Sequence, residues 1–82
     1  MTDHEREIWR GAFDLFEFNR DMPDSEEHWT AFARAVSLFA AQYSYHTCPL
    51  TRALAAAVYE AVEGEYRLRK QAEREAEEAA AS

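Results

Sequence analysis

The sequence predicts an all-α fold, a small three-helix bundle with a polar C-terminal helical extension. Three observations carry that expectation. The 82 residues include sixteen Ala but only two Gly and two Pro, so helix formers fill every long segment while the turn residues that β-hairpins need are missing. Apolar residues recur at i, i+3, i+4 and i+7 in three successive segments, the period of a helix with one face in a core. Around Pro23 and again around Pro49 that period breaks, which divides the chain into three.

In the first segment, about Asp3 to Asn19, residues Ile8, Trp9, Ala12, Phe13, Leu15 and Phe16 fall on one face and are expected in the core. The stretch from Asn19 to Asp24 ends the helix, because proline excludes the helical conformation from the residue before it and Asn and Asp favour turns. Asp24 or Ser25 can cap a second helix, with Glu27 three residues after Asp24 in a capping-box arrangement and Glu26 near the positive helix end. Along that helix Trp29, Phe32, Ala33, Val36, Phe39, Ala40 and Tyr43 form the expected core stripe. Ala31, Leu38, Ala41 and Tyr45 lie opposite, small or apolar where charge is expected, and suggest a second contact surface.

The second helix is expected to end near Tyr45 and His46. Thr47 or Cys48 can cap a third, in which Pro49 suits the first turn. Leu50, Leu54, Ala57, Val58 and Ala61 make its core stripe, and Gly64 marks a weak point. Beyond Gly64 the pattern thins to Leu68 and Ala72, with Glu63/Arg67, Glu65/Arg69 and Arg74/Glu78 at the spacing of helical ion pairs. Residues 1–70 are therefore read as the bundle domain. Residues 71–82 have nothing large to bury and read as a solvated, fraying helical tail.

Charge is distributed unevenly. Residues 1–30 carry nine carboxylates and three arginines, residues 31–59 two arginines and no carboxylate, and residues 60–82 seven carboxylates and four bases, within a total of −7. A net charge of that sign repels a phosphate backbone and excludes direct nucleic-acid binding by attraction. No acidic residue occurs from His28 to Tyr59, and in an acidic chain such a region is expected to be covered. A homodimer through helices 2 and 3, with Leu38, Ala41 and Tyr45 in the contact, follows as an expectation. Sixty to seventy residues of bundle bury only a modest core, which self-association would supplement.

Chemistry is thinly represented. His46 and Cys48 bracket a helix start where amides and dipole favour a thiolate, yet no neighbouring Asp, Glu or Asn orients the imidazole and no glycine loop suggests an oxyanion hole. Cys48 therefore reads as a half-buried residue beside a capping threonine. His4, His28 and His46 lie in different segments without metal-ligand spacing. Neither an enzyme, a metal nor a cofactor is expected. A highly charged N-terminus argues against a signal peptide, and the uncharged run from Ala35 to Thr51 is interrupted by polar residues and Pro49, so no membrane association and a cytoplasmic location are expected.

The feature with most functional content is the acidic surface. Asp14, Glu17 and Asp21 project together with Asp3 and Glu7 opposite the aromatic stripe of helix 1, and Asp24, Glu26 and Glu27 extend them past the turn. Carboxylates so arranged can occupy a groove built for phosphates on a basic partner. Tyr59 and Tyr66, seven residues apart and off the main stripe, form a second candidate contact patch.

The segments from Trp9 to Phe16 (WRGAFDLF), Met22 to Trp29 (MPDSEEHW) and Pro49 to Glu60 (PLTRALAAAVYE) resemble those of small acidic all-helical accessory proteins of bacteriophages and mobile elements, a class that includes anti-CRISPR inhibitors. The likeness spans about residues 8–62 and is one of size, charge and style, so it transfers no functional residue. It implies a non-enzymatic protein that blocks a larger host protein or nucleoprotein complex, such as a CRISPR effector, in a bacterial cytoplasm. The alternative is a small dimeric structural or regulatory subunit docking through apolar helix faces.

Overall fold

In a computed structural model, residues 1–81 are described and form three α-helices: α1 (Asp3–Asn19), α2 (Glu26–Gln42) and α3 (Pro49–Ala81). No strand occurs among the described residues. The fold is a small all-α three-helix bundle, in which α3 contacts both α1 and α2 and those two also meet.

Each helix start has a chemical cause. Thr2 caps α1: its hydroxyl accepts from the Glu5 amide at 3.1 Å while the Glu5 carboxylate accepts from the Thr2 amide at 2.9 Å, satisfying two otherwise orphaned donors reciprocally. Those Thr2 hydrogen bonds, backbone first, hold the Glu5 pKa below the ordinary glutamate value. At α2 the cap is Ser25, whose hydroxyl accepts from the His28 amide. Asp24, the other candidate, turns away, so the box with Glu27 does not form; its carboxylate accepts from the Trp29 indole at 3.1 Å instead.

α2 stops at Gln42, three residues earlier than the apolar pattern suggests. Ser44 adopts φ 59°, a left-handed conformation no helix interior accommodates. The Thr51 hydroxyl donates to the Tyr43 carbonyl at 2.8 Å, and Arg52 donates to the carbonyls of Tyr45 and His46. The first turn of α3 thus takes up the carbonyl of the α2 C-cap and two carbonyls of the turn that follows. Gly64, by contrast, breaks nothing; α3 runs through it to Ala81. One glycine costs a helix about 1 kcal/mol, which the packing of the flanking Val58 and Val62 offsets.

The core comprises Ile8 and Ala12 of α1, Met22 of the first turn, Phe32 and Phe39 of α2, and Leu54, Ala55, Val58 and Val62 of α3. Buried Asn19 donates to the Leu15 carbonyl at 2.8 Å, so its amide enters the apolar interior with a partner. Gly11 lets α2 approach: a Cβ there would lie 3.1 Å from the Phe39 ring. Five residues with core periodicity are nonetheless exposed: Trp9 and Phe13 of α1, Ala33 of α2, and Ala57 and Ala61 of α3. A helix flanked by only two neighbours buries a narrow arc, here centred on Ile8 and Ala12, and the outer part of a wider apolar stripe stays in water. The helices also differ in length, 17 residues in α1 and α2 against 33 in α3, so the last third of α3 overhangs the bundle and residues 71–81 are all exposed. Ser82 lies outside the described residues.

Candidate interaction surface

The surface divides into parts of very different chemistry. Asp14 and Glu17 are exposed on the side of α1 away from Ile8 and Ala12, and Asp21 is exposed in the turn just past its end. Glu17 pairs with Arg20 at 3.3 Å and Asp21 with Arg69 at 3.9 Å, both at the surface where such pairs contribute little. Asp14, Glu26 and Glu27 are also exposed and make no ion pair among the described residues. Phe18 stands among them, one turn after Asp14 and three residues before Asp21, with 89% of its surface in water. Helical periodicity does not single out Phe18, because it lies off the apolar stripe; its isolation among carboxylates is the signal that sequence offers.

The structure brings Asp24 and Tyr66, which sequence places in separate patches, into direct contact. The Tyr66 hydroxyl donates to Asp24 at 2.8 Å, and Trp29 packs edge-on against the Tyr66 ring at 5.6 Å. Hydrogen bonds from Tyr66 and then Trp29 hold the Asp24 carboxyl below its ordinary pKa, and the same contact with Asp24 raises that of Tyr66. Tyr59 stacks on Phe32 at 5.4 Å with 19° between rings. These tyrosines fasten α3 to α2, and Tyr59 keeps 38% of its surface in water.

Leu38, Ala41 and Tyr45 are all exposed on α2 and the turn beyond it. Ala41 and Tyr45 line a groove of about 880 Å³ between α2 and α3, whose floor includes Val36, Ala40 and Ala55; Leu38 lies outside it. No carboxylate lines that groove, and Arg52 stands at its end with its guanidinium already engaged by two carbonyls.

The thiol and imidazole of the second turn do not form a pair. His46 packs edge-on against Tyr45 at 5.5 Å. The Cys48 pKa is lowered by hydrogen bonding at Thr51, then the Leu50 amide and the charge of Arg52. Among the described residues no three His, Cys, Asp or Glu side chains converge as metal ligands, and no helix is long and apolar enough to cross a membrane.

Set against protein-family models, curated proteins and solved structures, the chain matches none of them. Geometry and charge are therefore what bear on its function.

Proposed function

We propose that the chain is a non-enzymatic protein-binding module that occupies a basic surface of a larger protein or nucleoprotein complex, acting as an inhibitor of a nucleic-acid-handling or defence assembly such as a CRISPR effector. The observation that carries this reading is Phe18, nearly all in water and set among Asp14, Glu17 and Asp21. Carboxylates steer a basic partner and fix orientation, while a desolvated aromatic at the centre of a contact supplies binding energy. The bundle gains nothing from Phe18, and a lone phenylalanine in water works against solubility.

Capture from bacterial lysate, at low and at raised salt, tests the reading. Wild-type protein is expected to retain a basic protein in a salt-sensitive way, and both Phe18→Ala and the triple reversal of Asp14, Glu17 and Asp21 to Lys to lose it. Equal capture by all three would leave the acidic face as a solvated surface. The alternative, a small dimeric structural or regulatory subunit, is favoured by a different observation, the uncovered Trp9 and Phe13 of α1.

A further inference from the structure

We infer that the outer face of α1 and α3 is a self-association surface on which a second copy of the chain packs antiparallel, α3 against α3. Four of the five residues with core periodicity that the monomer leaves in water lie on this side: Trp9 (47% exposed) and Phe13 (61%) on α1, Ala57 and Ala61 on α3. Leu68, 63% exposed, continues the row on α3. The apolar pattern written into the sequence is thus wider than the core of one chain, and Phe16 of α1 shares a hollow with Ala61 and Leu68 of α3.

Gly64 provides an independent observation. Gly11 is small because Phe39 occupies the space a Cβ would take, but nothing lies within 4 Å of a Cβ built on Gly64. Neither glycine has positive φ. No requirement inside the chain therefore accounts for a helix-weakening residue at the centre of the longest helix. Close approach of another backbone does, and Gly64 borders a hollow with Phe16, Ala61 and Leu68.

Charge fixes the direction. Ala57, Ala61, Gly64 and Leu68 are spaced four, three and four apart, the seam of two helices packing side by side. An antiparallel copy with Ala61 opposite Gly64 puts Leu68 opposite Ala57 and Glu75 opposite Leu50. Glu60 and Arg67, which flank the seam seven residues apart on its outer edge, then each meet the other across the two-fold axis. The half of α3 before Glu60 carries Arg52 and no carboxylate, whereas the half from Glu60 onward carries seven carboxylates and four bases; the antiparallel arrangement lays one over the other, and a parallel one would not. It also engages the overhang, since α3 pairs from Leu50 to Glu75 over about 40 Å at 1.5 Å per residue. Trp9 and Phe13 of both copies close the flank.

Sedimentation of the full chain and of variants tests this. Wild type is expected to form a dimer. Gly64→Gln should sediment as a monomer, yet melt roughly 5 °C higher than wild type at concentrations too low for association, because the helix gains a better former. Glu60→Arg and Arg67→Glu should each weaken the dimer about tenfold, and the double exchange should restore it, since it rebuilds both pairs with reversed polarity. A monomeric wild type at every accessible concentration would overturn the inference. So would a dimer that tolerates Gly64→Gln but dissociates with Leu38→Glu, which would place the contact on α2, or a double exchange as weak as the singles, which would exclude this register.

Discussion

The two flanks of α1 both expose aromatic side chains, Trp9 and Phe13 at 47% and 61% on one and Phe18 at 89% on the other, but they are not equivalent. One shows Trp9 and Phe13 beside the small residues of α3, with few charges between them; the other shows Phe18 alone among Asp14, Glu17 and Asp21. A wide apolar face can be covered only by a matching apolar face, and it gains from area. A lone aromatic in an acidic field gains from a single pocket and from long-range attraction. The two surfaces are therefore separate in chemistry, one apolar and one charged, although Glu17 lies one helical turn from Phe13.

The strongest test of that separation is to remove the core. Phe32 is 1% exposed and holds Trp29 and Tyr59 on either side. Phe32→Ala should destabilise the bundle by about 3–5 kcal/mol, a large part of a small domain's stability, and denaturant titration should show a lowered midpoint or no folded baseline. Phe18→Ala, in contrast, should change the stability by less than about 0.5 kcal/mol. Equal losses would mean that Phe18 is part of the fold, and the two flanks would no longer be distinct from the interior.

A smaller effect sharpens the contrast between the glycines. Gly11→Ala brings a Cβ to 3.1 Å from the buried Phe39 ring, and the strain should exceed the helix gain, for a net loss of about 1 kcal/mol. Gly64→Ala meets open space and should stabilise the dilute protein by about the same amount. Opposite signs in thermal melts of dilute samples would separate a glycine used by the fold from one that the fold does not use.

Smaller still is the pH dependence at the α2–α3 seam. The Asp24 carboxyl has a folded pKa below its unfolded one, so its contribution is fully present above the unfolded aspartate pKa and is lost as pH falls through the folded value. Tyr66 has the reverse shift; its share is present below the unfolded tyrosine pKa and lost as pH rises through the folded one. Stability should fall at both ends. Tyr66→Phe should shrink both declines, leaving at alkaline pH the part that comes from Lys70, whose pKa Glu73 raises, as melts across pH would show.

What can be read from the sequence follows from how local each signal is. The three helices and the buried positions Ile8, Phe32, Phe39, Leu54 and Val58 are set by a periodicity that needs only neighbours in the chain. The end of α2 depends on Ser44 turning left-handed and on Thr51, seven residues on, taking the Tyr43 carbonyl, and the apolar pattern runs past both. The arc that becomes core depends on how many helices pack around α1, which is why periodicity alone places Trp9 and Phe13 inside. The acidic carboxylates are legible as a surface, but the capture of Asp24 by Tyr66 joins residues 42 positions apart and no spacing announces it. Phe18 emerges only on asking which aromatics the stripe leaves out.

The smallest expected effect on the monomer comes from removing the overhang. Residues 71–81 are exposed throughout, and truncation after Lys70 removes the Lys70–Glu73 pair at 3.4 Å and the Gln71–Glu75 hydrogen bond at 3.2 Å. Both are solvated and near neutral in worth. The tie that matters, Arg69 donating to the Met22 carbonyl at 3.1 Å, remains. Dilute truncated protein should therefore melt within about 4 °C of the full chain, the shift expected from less than roughly 1 kcal/mol in a domain of this size. Self-association should respond differently, because the antiparallel register lays residues 71–75 along the beginning of the other copy's α3, and their loss should weaken the dimer while the monomer stays folded. A drop in both together would assign the overhang to the bundle itself; an unchanged dimer would confine the contact to the seam around Ala61 and Gly64.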